Sequence, residues 1–261
     1  MKFQKKRKKI KVTIILKKKI NRILRQEPVE NLFSFICSSN NNISRITKMI
    51  EKLCSSYGNK IAEIEGKEYF SFPAIEKLSG DNIEKELREA GFGYRAKYIS
   101  DTAKYLQENQ IDEAKLRTYR KETYQTTKDF LLKLSGVGPK VADCICLMSM
   151  DKLEAVPIDT HVFRYSMRDY KFMNQGGSKL KTKASFSKID YQQLGDYFRD
   201  LHGPFAGWAQ SVSFYFILFY FILFYLFYLF LFFFILISFS FSFSLLFFCF
   251  LSFSLLFFHF V

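Results

Sequence analysis

A lysine and an aspartate, nineteen residues apart, are the side chains of this sequence best placed to do chemistry. Lys140 directly follows a Leu-x-Gly-x-Gly turn, and Asp159 lies inside the turn Val156–Thr160. The dipole of a helix disfavours an ammonium ion in its first turn, and this favours the neutral, nucleophilic amine. A carboxylate nearby could stabilise positive charge that develops on a sugar. The pair therefore predicts amine chemistry at a carbon close to a bound polyanion.

The turn before Lys140 is suited to binding a phosphate. Gly136 and Gly138 permit a tight turn and the close approach of another backbone. The helix that starts near Pro139 would point its first amides at an anion. Two simpler interpretations stay open, because the turn could merely connect two helices and Asp159 could merely cap the helix that follows it.

The elements that must position these residues have a helical pattern from Asn21 to Gln210. Amphipathic helices are predicted at Arg95–Glu108 and Tyr119–Leu134, and an apolar helix at Ala142–Met150. Alternating strand patterns of any length are absent. The sequence thus predicts an all-α domain over residues 21–213.

Two local details of these helices follow from single residues. Asn82, with Asp81, is predicted to cap a helix at Ile83–Ala90. Five apolar side chains are predicted to share one face of a helix. They are Ile43, Ile46, Met49, Ile50 and Leu53.

The net charge of +14 lies on the first 213 residues, because Phe214–Val261 contains no Asp, Glu, Lys or Arg. Such a charge favours polyanions but does not distinguish DNA, RNA and an acidic membrane. The lysine-rich residues 1–20 are either a nuclear address or nucleic-acid arm, or an uninformative basic tail. Five cysteines without a CxxC pair predict reduced thiols rather than disulfides, zinc or an iron–sulfur cluster.

Residues 214–261 are a Phe-rich, low-complexity tail that contains twenty of the 32 phenylalanines. The tail is long enough to span a bilayer once or twice, which would place the protein at a membrane. A translated pyrimidine-rich repeat is the alternative, favoured by the Phe and Ser composition and by the lack of interfacial lysines. A membrane is expected as a partner only if the tail is genuine.

The segment from Leu134 to Phe163 resembles the helix–hairpin–helix glycosylases with a Gly/Pro-Asp loop, and within them the eukaryotic 8-oxoguanine DNA glycosylase/AP lyases. Four further segments match in the family's order, and the resemblance covers residues 22–214. They are Leu24–Cys54, Phe72–Leu78, Gly91–Ser100 and Gly203–Gln210. The resemblance implies base-excision repair of damaged double-stranded DNA. The expected enzyme removes 8-oxoguanine opposite cytosine through a lysine Schiff base and has AP lyase activity. It is expected to require no cofactor and to act as a monomer in the nucleus or mitochondrion.

The resemblance also implies roles for matching positions. Lys140 becomes the nucleophile that attacks C1′, and Asp159 the carboxylate that assists departure of the base. The expected base pocket consists of Cys144 and Phe214, which sandwich the extruded base, and Gln210, which reads its Watson–Crick edge. The expected DNA-binding residues are Asn40, Arg45, Tyr94, Arg95, Gly136, Gly138, Val141 and His161. A structural cation, monovalent or Ca²⁺ or Mg²⁺, is expected on the backbone carbonyls of Leu132, Leu134 and Val137.

Among these DNA contacts, four residues are assigned to the strand opposite the lesion or to the stacked bases. Asn40 is expected to fill the vacated space, and Arg45 and Arg95 to recognise the orphan cytosine. Tyr94 is expected to act as a wedge, although on its own it would be interpreted as a core aromatic. His161 is matched to a phosphate contact.

The sequence departs from the family at both ends. The family has an N-terminal β-rich domain that supplies the carbonyl recognising N7–H of 8-oxoguanine, and the match here begins near Asn21, so this domain is expected to be missing. Ile217 stands where the family has an aspartate that partners the histidine matched by His161. This chain is expected to fold weakly or to aggregate. A catalytically impaired DNA-binding fragment and a membrane-tethered protein stay open as alternatives, with a monofunctional glycosylase as a lesser one.

Overall fold

The computed structural model of the protein describes residues 23–169, 188–211 and 225–229. The chain divides into two compact units, Met1–Ser211 and Val212–Val261. In the second unit a short helix at residues 225–229 is described, while Phe214 and Ile217 lie outside the described residues, as does the basic segment 1–20. None of the described helices combines the length and the apolar character needed to cross a membrane.

The first unit is built mainly of α-helices, as the sequence predicts. The helices are α1 Pro28–Ser38, α2 Ile43–Tyr57, α3 Ile75–Leu78, α4 Ile83–Glu89, α5 Arg95–Glu108, α6 Glu113–Thr118, α7 Tyr124–Leu131, α8 Pro139–Ser149, α9 Thr160–Asp169 and α10 Lys188–His202. A 3₁₀ turn at Gly203–Phe205 and a helical stretch at residues 206–211 follow α10.

The predicted helix Arg95–Glu108 is confirmed as α5, but the single helix predicted over Tyr119–Leu134 is wrong. Residues 119–123 instead form a turn, and the helix within this range is the shorter α7, while α6 ends before the range at Thr118. Thr123 ends the turn, because its side chain accepts the amide of Thr126 and so caps α7. The Thr127 hydroxyl donates to the carbonyls of Tyr119 and Thr123 and holds the turn from within.

A two-stranded antiparallel hairpin, β1 Lys60–Ile64 and β2 Lys67–Phe70, corrects the expectation that strands are absent. Its turn residues Glu65 and Gly66 both have positive φ, at 53° and 75°, which is the backbone of a tight hairpin turn. Most of the strand residues are exposed. Because neither face is buried, no alternation of apolar and polar residues marks the strands in the sequence.

One local prediction needs correction, and one apolar helix face is buried only in part. Asn82 precedes α4 but its side chain makes no capping hydrogen bond. Ile43 is 83% exposed, so the apolar face of α2 reaches the core only further along the helix, at Met49 and Leu53. The first turn of α2 extends beyond the core.

The hydrophobic core places α8 between α1 and α7. Its largest buried side chains include Phe33 of α1 and Phe92 in the turn before α5. Cys37, Cys144 and Cys146 are buried free thiols, as predicted for these cysteines. Helix α8, which begins with the glycine turn and Lys140, is therefore fixed along its length by its neighbours.

Candidate active site

The glycine hairpin is held against α5 by a close backbone approach at Gly136. This residue has φ of 76°, and a Cβ built on it would lie 2.8 Å from atoms of the Tyr98 side chain. The neighbouring carbonyl of Ser135 accepts a 2.9 Å hydrogen bond from the Thr102 hydroxyl. Glycine at this position therefore satisfies both the left-handed backbone and the lack of space.

Helix α8 starts with its backbone donors unused by any capping side chain. Gly138 occupies the N-cap without a side-chain hydrogen bond, and Pro139 has no N–H to satisfy. The amides of Lys140 and Val141 are the next donors at this helix start. The Val141 side chain is buried, so only its backbone amide is available to an anion. This helix start is thus suited to a phosphate.

An open groove lies beside the hairpin and joins it to the loop after α1. Its lining residues are Ser39, Tyr94, Tyr98, Leu134, Gly136, Val137 and Gly138. The groove brings two segments that are about a hundred positions apart in the sequence to one surface. A backbone that follows the groove would contact the helix start and the Tyr94 side chain together.

Lys140 is half-buried, with Nζ 5.6 Å from the centroid of the Phe35 ring. One turn later on the same helix lies Cys144, which is 4% exposed. Burial raises the pKa of the Cys144 thiol to about 11, while the Lys140 charge opposes the rise and the charges of Asp143 and Asp159 add to it. Lys140 and Cys144 thus lie one turn apart on α8, and the charges of Lys140 and Asp159 act on the thiol in opposite directions.

Asp159 caps α9, so the simpler interpretation of this residue is confirmed. Its Oδ1 accepts the amides of His161 at 2.9 Å and of Val162 at 2.8 Å. The cap fixes the orientation of the carboxylate while Oδ2 accepts no hydrogen bond within the described ranges. The His161 side chain is exposed. Capping and catalysis are therefore compatible here, because they use different oxygens.

The turn before Asp159 is buried and is packed against the last helical stretch of the first unit. Val156 and Ile158 are each 1% exposed. A Cβ built on Gly207 would lie 1.7 Å from the Ala155 carbonyl oxygen, so only glycine permits this approach. Gln210, 5% exposed, lies three residues further along that stretch. The helical stretch that carries Gln210 thus packs, through Gly207, against the turn that carries Asp159.

A buried polar network on the helix of Lys140 centres on Asp143, which is fully buried. Its Oδ2 accepts from Lys128 Nζ at 2.9 Å and from the Tyr191 hydroxyl at 2.5 Å, and its Oδ1 accepts from the Tyr124 hydroxyl at 2.6 Å. Burial and the Asp143 charge raise the pKa of both tyrosines, so both remain protonated donors. The network joins α7, α8 and α10.

The loop after α1 is shaped by a buried arginine. Asn40 has φ of 46°, and its carbonyl accepts a 2.9 Å hydrogen bond from Arg95. Arg95 is 2% exposed and also donates to the Ser39 carbonyl, which accepts the Tyr94 hydroxyl as well. Tyr94 itself is 44% exposed and is not the core aromatic that it would be taken for on its own. Arg45 is exposed and donates to a backbone carbonyl before α5.

Residues 33–189, which include the hairpin, Lys140 and Asp159, match the family described as "HhH-GPD superfamily base excision DNA repair protein". The chain belongs to this superfamily.

Two relatives of this HhH-GPD chain are named as N-glycosylase/DNA lyases. The "N-glycosylase/DNA lyase" of Saccharomyces cerevisiae is 46% identical, over 74% of this chain and 56% of the yeast protein. The "N-glycosylase/DNA lyase OGG1" of Arabidopsis thaliana is 43% identical, over 74% of this chain and 51% of the plant protein. The chain therefore spans about half the length of these relatives.

The HhH-GPD fold is also shared with a solved DNA complex. The 8-oxoguanine glycosylase/lyase of Clostridium acetobutylicum, crystallised with double-stranded DNA containing cytosine opposite 8-oxoguanine, has a TM-score of 0.61 and 36% identity. The match covers 75% of this chain and 61% of that chain. Its apo form gives a TM-score of 0.63.

The HhH-GPD core brings some of the sequence-predicted residues together. Lys140 and Cys144 lie one turn apart on α8, and the hairpin glycines share the groove with Tyr94. Asp159 lies at the start of α9. Phe214 lies outside the described residues, so its place in the base pocket stays a prediction. The sequence interpretation missed the Asp143 network because Lys128 and Tyr191 are 15 and 48 positions away from it. No local pattern links such residues.

The predicted cation site consists of backbone carbonyls, and one of them already accepts a hydrogen bond. The Leu134 carbonyl accepts the Val137 amide at 3.2 Å and keeps a second lone pair. Within the described ranges, no group of three or more His, Cys, Asp or Glu side chains could hold a metal ion.

Proposed function

We propose that this chain is a base-excision DNA glycosylase with AP lyase activity that removes 8-oxoguanine opposite cytosine. The observation that carries the proposal is the position of Lys140 at the start of α8. Its amine lies in the first helical turn, 5.6 Å from the centroid of the Phe35 ring and one turn before Cys144. The groove and the uncapped helix start beside it are suited to a DNA backbone.

In the first step the lone pair of Lys140 Nζ forms a bond to C1′ of a nucleotide extruded from the duplex. Extrusion is required because a stacked base shields this carbon. The C1′–N9 bond breaks, its electron pair leaves with the base, and a proton goes to the base. Asp159 stabilises the positive charge that develops on the sugar as the bond breaks. Its Oδ2 is suited to this because Oδ1 is occupied by the α9 cap.

In the second step the sugar ring opens and the Lys140 adduct becomes an imine that remains joined to C1′. Removal of a C2′ proton then expels the 3′-phosphate by cleavage of the C3′–O bond. Water hydrolyses the imine and returns the free amine of Lys140. This sequence needs a lysine as nucleophile, so it accounts for an amine at a helix start that is otherwise unfavourable for it.

Recognition of the orphan cytosine is assigned to the loop after α1. Asn40 is exposed with a left-handed backbone, and Tyr94 projects beside it, so both are available to a duplex. Arg45 is exposed and can reach the cytosine directly. Arg95 is buried, so its role on the orphan strand would begin with holding the Ser39 and Asn40 carbonyls. Cys144, Phe214 and Gln210 are proposed to hold the extruded base.

A cation at the hairpin is part of the same proposal. Leu132, Leu134 and Val137 would present carbonyl oxygens to it, and a DNA phosphate would complete its shell. The second lone pair on the Leu134 carbonyl supports such a contact. The cation would fix a phosphate and take no part in bond breaking.

Borohydride trapping with an 8-oxoguanine:cytosine duplex tests the proposal. The wild-type chain is expected to form a covalent adduct with DNA, and Lys140→Gln to form none, because glutamine has no nucleophilic lone pair. Lys133→Gln is the matched control, since it removes an exposed lysine beside the same hairpin. It is expected to keep the adduct even if DNA binding weakens slightly.

A folded wild-type chain that binds DNA without an adduct would overturn the enzymatic proposal. It would favour the DNA-binding fragment, which the open groove alone supports. Base release without an adduct would instead indicate a monofunctional glycosylase.

A further inference from the structure

The turn that ends at Asp159 has a buried side-chain contact that the proposed chemistry does not use. The Tyr191 hydroxyl accepts the Ile158 amide at 3.3 Å and lies 3.5 Å from the Val156 carbonyl oxygen. The same hydroxyl donates to Asp143 at 2.5 Å. Tyr191 is 8% exposed, so these bonds are shielded from competing water.

Asp143 connects this contact of Tyr191 to helix α8. It follows Lys140 by three residues on α8 and is fully buried. Lys128 and Tyr124 bind it from α7, so the carboxylate remains in place without Tyr191. Lys128 Nζ also donates to the Tyr124 hydroxyl at 2.8 Å, which ties these two side chains to each other.

We propose that Tyr191 is a positioning residue for Asp159, because its hydroxyl joins Asp143, on the helix of Lys140, to the backbone of the turn that presents Asp159. The inference rests on the proposed glycosylase and lyase function. Tyr191 is buried, so it acts through the turn and not on the substrate itself. It fixes the separation between the carboxylate that assists base departure and the amine that attacks C1′.

The two reactions of the proposed enzyme depend differently on this separation. Removal of 8-oxoguanine needs both Lys140 and Asp159 in place. Attack on a preformed abasic site needs Lys140 but no departing base, so it does not need Asp159 in that role. A residue that positions only the Asp159 turn must therefore affect excision more than abasic-site trapping.

Tyr191→Phe and Tyr124→Phe form a matched pair in the full chain. Each removes one hydroxyl that donates to Asp143, but only Tyr191→Phe removes the partner of the Ile158 amide. Both are expected to lower Tm, and both are assayed well below the lower Tm. Three quantities are measured: the single-turnover rate of 8-oxoguanine excision, the rate of borohydride trapping on a preformed abasic-site duplex, and DNA affinity.

For Tyr191→Phe, excision is expected to slow at least about tenfold, as misplaced catalytic groups do. Its abasic-site trapping and DNA affinity are expected to stay within about twofold of wild type, since Lys140 is not displaced. Tyr124→Phe is expected to keep both rates near wild type. The Ile158 amide should also be protected from hydrogen exchange in the wild-type chain, a measurement that does not depend on whether the variant folds.

Equal excision rates in the two variants would overturn the inference, and so would a Tyr191→Phe variant that loses excision and trapping equally. Rapid exchange of the Ile158 amide in the folded wild-type chain would also overturn it. Absence of any wild-type adduct is a different result, because it overturns the proposed function and the inference together.

Discussion

At residue 136, backbone conformation and available space both require glycine. The φ of 76° is in the left-handed region, and the Tyr98 side chain fills the place of a Cβ. At Gly138, two positions later, φ is −86° and a Cβ would meet nothing within 4 Å. The two glycines of one motif thus meet different constraints. Gly136 shapes the turn, whereas Gly138 only keeps the helix start open.

Gly136→Ala is expected to destabilise the chain by about 2 kcal/mol or more, because strained φ and a steric conflict add. It should also weaken DNA binding, since the hairpin must move away from α5. Thermal unfolding and DNA affinity measure the two effects.

Gly138→Ala is the control, and it should leave the free energy of unfolding close to the wild-type value because its backbone suits any residue. Similar losses of stability in both variants would show that the close approach of Gly136 to Tyr98 does not constrain the hairpin.

Single residues were predictable where their signal is local. Lys140, Gly136 and Asp159 stand in short patterns whose chemistry can be interpreted directly from the sequence. The Asp143 network has no such signal, because its donors come from helices far apart in the chain. A buried aspartate inside an apolar helix is visible in the sequence, but its partners become visible only after folding.

At the scale of elements, the start of α9 combines a helix cap with the proposed catalytic carboxylate. Asp159→Asn keeps an oxygen for the His161 and Val162 amides, so stability should stay within about 0.5 kcal/mol of wild type. Excision should nevertheless fall about 100-fold or more, because the charge that stabilises the sugar is lost. Thermal unfolding and single-turnover excision rates measure the two quantities.

Asp159→Ala tests the capping role together with the catalytic role, because it removes the cap as well as the charge. It should lose about 1 kcal/mol of stability as well as excision. If Asp159→Asn kept the wild-type excision rate, Asp159 would be a helix cap and nothing more.

Elements were predictable in proportion to how much of each is buried. Helix α5 was found with its observed bounds because it presents a continuous apolar face to the core. The β1–β2 hairpin was missed because both of its faces are largely exposed. Helix α7 begins only at Tyr124 because Thr123 caps it, and this cap lies inside the amphipathic pattern Tyr119–Leu134 that predicts a single helix.

At the scale of the whole molecule, the net charge of +14 should dominate affinity for DNA. Each ionic phosphate contact contributes a slope of about −0.9 to the logarithm of the binding constant against the logarithm of salt concentration. Between 50 and 200 mM salt, affinity should therefore fall by at least about tenfold. Fluorescence anisotropy with a labelled duplex gives the slope.

An undamaged duplex is the control for this measurement. Its slope should equal that of the 8-oxoguanine duplex, because phosphate contacts are independent of the base. A binding constant insensitive to salt would contradict an electrostatic role for the basic chain.

The buried Arg95 determines when the Ser39–Asn40 loop becomes ordered. Its bonds to two backbone carbonyls form on folding, so the entropy of fixing the loop is lost before DNA arrives. Encounter with a duplex then requires little rearrangement of the protein at this loop, and a smaller entropic cost opposes association. The rate of lesion capture should accordingly be limited by the opening of the base pair, a property of the DNA, rather than by the protein.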